Sequence, residues 1–280
     1  MKSQRRRRNG WSWPPSFLQM VCWVAIPVAA SSTAFLLMPL HVLYAPLVVF
    51  IGTIWLVLQI ITLTCIDPAV TNIQRSQAPA YFDPSKHEHV IENLFCNICL
   101  VNVDPTCKHC RQCNKCISGF DHHCKWLNNC VGEVNYRLFL LLVLSVCLIS
   151  ALVSICLVSL TVMSFINIEL LPDAKKLPME LTLWRGLCFA LGILYSTLAV
   201  LCAHLLYFHY KLWQRGMTTY NFIRVNRKCT NNQQKKNLSV DINTISGIVP
   251  VEKSSSKLSI IKSRTVRDST TDSPYVSFTS

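Results

Sequence analysis

Residues 96–130 read CNICLVNVDPTCKHCRQCNKCISGFDHHCKWLNNC, and the spacing of cysteine and histidine in this stretch decides how the chain is built. Cys96, Cys99, His109 and Cys116 follow the pattern C-x2-C-x9-H-x6-C. Cys110, Cys113, His123 and Cys130 repeat it, each 14 positions further on. Each set offers three thiolates and one imidazole, the ligands of one tetrahedral structural zinc ion. The second set starts before the first is complete, so the two sites interleave.

The stretch holds eight cysteines and three histidines, and the two zinc sets use eight of these eleven groups. Cys107, His122 and Cys124 are left over. His122 and Cys124 flank the ligand His123. In extended backbone alternate side chains point to opposite faces. His123 therefore faces its metal while His122 and Cys124 share the other side. A histidine beside a cysteine that no metal holds is the pairing of an activated thiol nucleophile. A free cysteine, with an ordinary pKa of about 8.5, is only a few per cent thiolate at pH 7, and a neighbouring base lifts that limit.

The rest of the chain explains where such a site sits. Of 280 residues 51% are hydrophobic and 15% charged, mean hydropathy is positive, and yet the formal net charge is +13. These values fit together if apolar and basic residues are segregated, as in a multi-spanning membrane protein. Four uncharged apolar runs, at about 17–40, 42–66, 138–168 and 186–210, each exceed the roughly 20 residues that cross a bilayer as a helix. The third has length to spare for tilt. Pro27 and Pro46 lie inside the first two runs. The first run is too long for a cleaved signal peptide and has no small-residue cleavage site close behind it.

Lysine and arginine set the orientation. Five precede the first run, none lies between runs one and two, seven lie between two and three, three between three and four, and twelve follow the last. Positive charge marks the cytoplasmic side. Both termini and the 96–130 stretch are therefore expected in the cytoplasm, with Arg5 to Arg8 serving topology rather than nucleic acid. Eight of the fifteen cysteines crowd into that one loop, where glutathione keeps thiols reduced. Cys22, Cys65, Cys147, Cys156, Cys188 and Cys202 fall in or near the runs and read as small packing residues. Cys229, just past the last run, is a candidate acylation site.

The expected layout is a basic segment 1–16 with Trp11 and Trp13 at the interface, two spans within 17–66, a zinc domain at 67–137 with its core at 94–137, two spans within 138–210, and a tail at 211–280. The tail is poor in large apolar residues from about Asn226 and is expected to lack structure there. Only about fourteen residues separate Cys124 from the third run, which pins the zinc domain to the membrane surface.

Asp121-His122-His123-Cys124, set among these eight ligands and followed by Asn128-Asn129-Cys130, resembles the signature of the DHHC protein S-acyltransferases, or palmitoyltransferases. The likeness covers about residues 17–222. It implies an all-α polytopic membrane protein of four transmembrane helices, with a cytoplasmic cysteine-rich domain binding two structural zincs between the second and third. It implies that Cys124 carries the acyl group, that His122 is the base and that Asp121 orients it. Strict alternation would place Asp121 on the wrong face, so a turn at 121–122 is required. Asn135, four residues before Phe139, matches a bracing position of that family.

Departures from the family pattern are visible as well. Lys125 stands where most members have proline, as in a subgroup with DHHCKW. Asp67-Pro68-Ala69 resembles the family's Asp-Pro-Gly. Thr218-Thr219-Tyr220-Asn221 resembles its Thr-Thr-x-Glu, with asparagine for the acid that helps tie the C-terminal segment to the metal domain.

The resemblance implies long-chain acyl-CoA, such as palmitoyl-CoA, as co-substrate, and membrane-associated proteins with cytoplasmic cysteines as acceptors. Membrane lipids surround the site. Burying the acyl chain among the spans offers about 0.8 kcal/mol per methylene. Lys125 and Arg137 are candidates for the CoA phosphates. An endomembrane (endoplasmic reticulum, Golgi or endosome) is expected before the plasma membrane.

Three rival classes fit the sequence less well. A RING-type ligase lacks its closing C-x2-C pair, since five residues separate Cys124 from Cys130. A nucleic-acid module is opposed by a loop that is only mildly basic, with no C2H2 spacing and no recognition helix. A zinc-stabilised membrane scaffold without activity is the remaining alternative, and the intact tetrad argues against it.

Overall fold

The computed structural model describes residues 5–73, 78–167 and 179–246. Four helices are long and apolar enough to cross a membrane: α1 (Phe17–Leu36), α2 (Tyr44–Cys65), α3 (Tyr136–Ile166) and α4 (Leu181–Gln214). They are the spans of a multi-pass protein. A further helix, α5 (Thr219–Ser246), follows α4. Between α2 and α3 the described residues form seven short strands: β1 (Ile91–Glu92), β2 (Phe95–Cys96), β3 (Val101–Asn102), β4 (Lys108–Cys110), β5 (Lys115–Ile117), β6 (His122–Cys124) and β7 (Asn129–Val131).

Capping places the helix ends where the apolar runs alone do not. Ser16 caps α1, its hydroxyl accepting from Gln19 N (3.1 Å). Helix α4 begins five residues before the expected 186, because Glu180 accepts from Thr182 N and Leu183 N, both at 2.9 Å. The expectation of a structureless chain from about Asn226 meets a helix that runs on to Ser246. Residues 219–246 contain neither glycine nor proline, so no residue type in them breaks a helix. The expectations for the third link at 168–178 and for the tail at 247–280 lie outside the described residues.

In lipid there is no hydrophobic force between apolar helices, so close backbone approach and interhelical hydrogen bonds hold them. Helices α3 and α4 form the main pair. The α3 face carries buried Ser150, Ser154, Leu157, Thr161 and Ser164, and Ser154 Oγ donates to Gly192 O on α4 at 2.8 Å. Trp184, fully buried, donates Nε1–H to Leu36 O (3.1 Å), satisfying a carbonyl orphaned at the end of α1. Thr33 and Tyr195 join α1 to α4 through their hydroxyls at 2.9 Å, and Trp55 and Gln59 of α2 both donate to Ser145 of α3.

The strands pair as three hairpins, with β1 added to the edge of the first. Their registers coincide after steps of 14 residues. Cys96 faces Val101, Cys110 faces Lys115 and Cys124 faces Asn129; likewise Phe95 faces Asn102, His109 faces Cys116 and His123 faces Cys130. The backbone turns through positive φ at Leu100, Asn114 and Asn128, again 14 apart. Hairpins two and three meet at Gly132, where a Cβ would lie 2.5 Å from Ile117 Cγ2 and 2.8 Å from Ser118 O.

Three contacts fasten this domain to the helices. Asn129 Nδ2 donates to Leu63 O (3.0 Å) and Ile66 O (2.8 Å), taking up free carbonyls at the end of α2. Lys115, 1% exposed, pairs with Asp67 at 2.7 Å just beyond α2. Val70 N donates to Cys116 O (3.1 Å), and Pro68 is buried beside this junction.

Candidate active site and metal centres

The two ligand sets assemble as the spacing requires. The ligand atoms of Cys96, Cys99, His109 and Cys116 lie within 4.8 Å of one another, as do those of Cys110, Cys113, His123 and Cys130. Both histidines turn Nδ1 inward. In the first cluster its distances to sulfur are 3.6, 3.4 and 3.8 Å, and in the second 3.9, 3.3 and 3.6 Å. Tetrahedral zinc with Zn–S of about 2.3 Å and Zn–N of about 2.05 Å separates sulfur from nitrogen by about 3.6 Å. The donor sets therefore fit two structural zincs.

The register supplies a reason. In each site the histidine and last cysteine, His109 with Cys116 and His123 with Cys130, are directly opposed across a hairpin. Hydrogen bonding from Cys116 drives the Cys96 pKa down, while contacts with Cys107 and Cys96 drive Cys116 up; Cys110 is likewise lowered through Cys113, and Cys130 raised through Cys110. Cys107, 1% exposed, lies against Cys116 but outside both clusters.

The second leftover thiol, Cys124, has different surroundings. Strand β6 turns His123 toward the second cluster. Cys124, buried, belongs to an apolar cluster with Ile60 and Leu63 of α2, Leu127, Val131, and Phe139 and Val143 of α3. Cys22, Trp23 and Ile26 of α1 and Cys202 and Leu206 of α4 pack against the same cluster. All four spans thus reach the surroundings of one thiol on the zinc domain.

His122 is close enough to Cys124 for the thiol to act on its titration, and it meets Asp121 Oδ2 through Nδ1 at 2.7 Å. The turn expected at 121–122 is not there: the chain turns earlier, at Ser118 and Gly119, and Asp121 stands just before β6, its N–H donating to Val131 O (3.0 Å), from where its carboxylate reaches the adjacent imidazole directly. Asp121 is 2% exposed, and its Oδ1 accepts from Thr219 N at 2.8 Å, at the start of α5. Burial would lower the His122 pKa, but hydrogen bonds to Asp121 and Cys124 and the charges of both outweigh it, pushing the imidazole up to about 9. Burial would raise Asp121, but hydrogen bonds from His122 and Thr219 hold it below the usual carboxylate range.

The remaining sequence candidates fall around this centre. Asn135, fully buried, accepts from Gly132 N and donates to Cys130 O, both at 3.0 Å, bracing the turn into α3. Thr218 Oγ1 accepts from Asn221 N (3.3 Å), so the contact of this segment with Asp121 runs through the Thr219 backbone rather than an acid at position 221. Lys125 and Arg137 are exposed.

Sequence patterns missed two neighbours of the site. His209 on α4 is buried and bonds Tyr136 OH through Nδ1 at 2.9 Å; its ring meets Phe139, whose ring in turn stands edge-on to His122 with centroids 5.1 Å apart. Lys115, the buried partner of Asp67, carries no pattern that sets it apart from a surface lysine.

Two interleaved Cys/His clusters suited to zinc, with a cysteine, a histidine and an aspartate outside them beside four membrane-length helices, define a multi-pass membrane protein with a zinc-binding domain between its second and third spans. Residues 89–226 match the DHHC palmitoyltransferase family, and the chain belongs to it. It is 36% identical over 254 residues to the human palmitoyltransferase ZDHHC11, covering 79% of this chain and 60% of that protein. It is 40% identical over 253 residues to human palmitoyltransferase ZDHHC1, covering 80% and 51% respectively. Protein S-acyltransferase 8 of Arabidopsis thaliana is 31% identical over 176 residues. The chain thus spans between half and two thirds of the length of these two human relatives.

Proposed function

We propose that this chain is a protein S-acyltransferase that carries a long-chain acyl group, such as palmitoyl, on Cys124. The observation that carries the reading is the position of Cys124: outside both metal clusters, two residues from the Asp121-paired His122 on strand β6, and packed in the apolar cluster among the four spans.

His122 takes the proton of the Cys124 thiol, and Asp121 holds the imidazole in orientation and stabilises its charge. The thiolate attacks the carbonyl carbon of acyl-CoA. The bond to CoA sulfur breaks, CoA leaves with the proton from His122, and a thioester to Cys124 remains. An acceptor cysteine then gives its proton to His122 and attacks that thioester, and Cys124 is released as thiolate. One thioester replaces another at each step, so no ATP is consumed. When bound, the zincs supply no electrophile; they hold the hairpins that carry Asp121, His122 and Cys124.

Charge distribution supports the finer placement. The lysine and arginine excess on both termini and on the zinc domain fits a cytoplasmic location for all three; the membrane in this proposal is an endomembrane. In this reading the exposed Lys125 and Arg137 meet the phosphates of CoA, and the acceptors are cytoplasmic cysteines close to the bilayer. The proposed layout keeps 67–137 as the zinc domain between the two pairs of spans.

Purified protein given labelled palmitoyl-CoA should take up label in a hydroxylamine-sensitive bond. Cys124→Ser should lose the label and keep two zincs per chain. Label retained in that variant would place the nucleophile elsewhere, and no label in the wild type would leave a scaffold.

A further inference from the structure

The segment before α1 does more than carry arginines. Between Arg6 and Ser16 it crosses the second hairpin, the third hairpin and the adjacent ends of α1 and α2. On the turn of the second hairpin, Arg7 N donates to Cys113 O at 2.9 Å and Arg6 Nε to Asn114 O at 3.4 Å. Lys115 Nζ donates to Arg8 O at 2.8 Å. Gly10 N donates to Thr64 O of α2 at 2.9 Å, and Gly10 O accepts from Gln19 Nε2 of α1 at 3.1 Å.

The third hairpin is held at the residues that directly follow Cys124. Asn128 Nδ2 donates to Gly10 O and to Pro14 O, both at 3.2 Å. Ser16 Oγ hydrogen-bonds Lys125 O. Gly10 is buried, and a Cβ there would lie 2.3 Å from Leu127 O and 2.7 Å from Thr64 Cγ2. The nearer atom is a backbone carbonyl, which can yield only if the turn itself moves. Asn128 has φ of 52°, so the turn that receives the segment is itself in a conformation few side chains tolerate.

We propose that residues 6–16 are a positioning arm for acyl transfer, with Gly10 and Asn128 as its contact points. The arm holds the turn at 125–128 against the ends of α1 and α2 and so aims Cys124 into the cluster among the spans. This rests on Cys124 being the acyl carrier. A nucleophile must meet its carbonyl at about 3–3.5 Å, and a displacement of about 1 Å costs on the order of 10²-fold in rate. An arm that sets the direction of Cys124 therefore acts on the bond-forming step, not on the affinity for acyl-CoA or on zinc.

The test is single-turnover loading of the full-length protein with labelled palmitoyl-CoA. Gly10→Val displaces the arm by steric conflict. Asn128→Gly keeps the positive φ and removes the amide donor. In each, the loading constant at saturating palmitoyl-CoA should fall by about 10- to 100-fold, with half-saturation changed by less than about twofold. Two zincs per chain should remain. The double variant should be no slower than the slower single one, because both break the same contact. Loading at the wild-type rate in both variants overturns the arm while leaving the acyl-carrier reading intact. Zinc loss in step with the rate in both variants also overturns it, since the arm would then be only part of the fold. A wild type that never loads overturns the acyl-carrier reading, and the arm's role with it.

Discussion

Cys110 and Cys124 stand 14 residues apart at the same point of two copies of one hairpin, opposite Lys115 and Asn129 respectively, and only Cys110 belongs to a metal cluster. The difference lies three residues on. Cys110 is followed by the ligand Cys113, whereas Cys124 is followed by Leu127, buried against α2 and α3. The tetrad itself is a copy of Cys107-Lys108-His109-Cys110, shifted by 14. Cys124 thus keeps the rigid setting of a zinc ligand without the metal that would occupy its thiolate.

That comparison predicts the effect of Leu127→Cys. The substitution restores the C-x2-C spacing of the first two hairpins and offers Cys124 a second thiol on the same turn. Acyl loading should become sensitive to added zinc, and a mild chelator should restore it without stripping the two structural ions. Loading that is indifferent to zinc in this variant would show that the third hairpin does not present Cys124 as the second presents Cys110.

Ligand assignment was legible because zinc geometry imposes spacing, and the leftover pair His122 and Cys124 followed by subtraction. The third hairpin was hidden because it shares Cys124 with both others (Cys96, Cys110) but Cys130 only with the second (Cys116), and its Cys99 counterpart is Leu127. His209 in the fourth apolar run and Tyr136 just before the third lie 73 residues apart, and no local period marks either as a partner. Lys115 and Asp67, 48 apart, look like surface charges until the chain is folded. Span ends missed by a few residues because a single cap such as Glu180 decides them, and apolar length does not report caps.

Adjacent histidines should separate cleanly. His123 turns Nδ1 into the second cluster, and His122 turns its own toward Asp121. His123→Ala should release one zinc per chain and lose loading as a consequence. His122→Ala should keep two zincs and slow loading by about 10²- to 10⁴-fold, the range of a lost general base. Metal analysis of the purified variants decides it: zinc loss from His122→Ala, or none from His123→Ala, would reverse the assignment of faces.

The His122–Asp121 pair also predicts a pH dependence. His122 is pushed up to about 9 against burial, chiefly through its hydrogen bond to Asp121. An unfolded histidine titrates near 6.5. Tighter proton binding in the folded state stabilises the protein fully below about pH 6.5 and is lost as pH rises through about 9. Asp121→Asn removes the carboxylate that raises this pKa. The wild-type thermal midpoint should fall from pH 6.5 to 9 more steeply than that of the variant, and the variant should load about 10²- to 10⁴-fold more slowly. Parallel stability profiles would mean that Asp121 does not hold the proton on His122.

The ion pair of Lys115 and Asp67 makes the last prediction, because burial sets its sign. Its nitrogen–oxygen distance is 2.7 Å, and the two side chains are 1% and 14% exposed. Removing one partner leaves the other charge buried without its counter-ion, which costs about 3–5 kcal/mol. Removing both leaves no buried charge and can be nearly neutral when the volume is filled. Asp67→Asn and Lys115→Met should each lower the temperature at which the domain releases zinc by several degrees, and the double variant should recover part of that loss. The pair also joins the end of α2 to the second hairpin, so each single variant should slow loading even below its melting range. Additive losses in the double variant would show that the two groups act separately rather than as a buried pair.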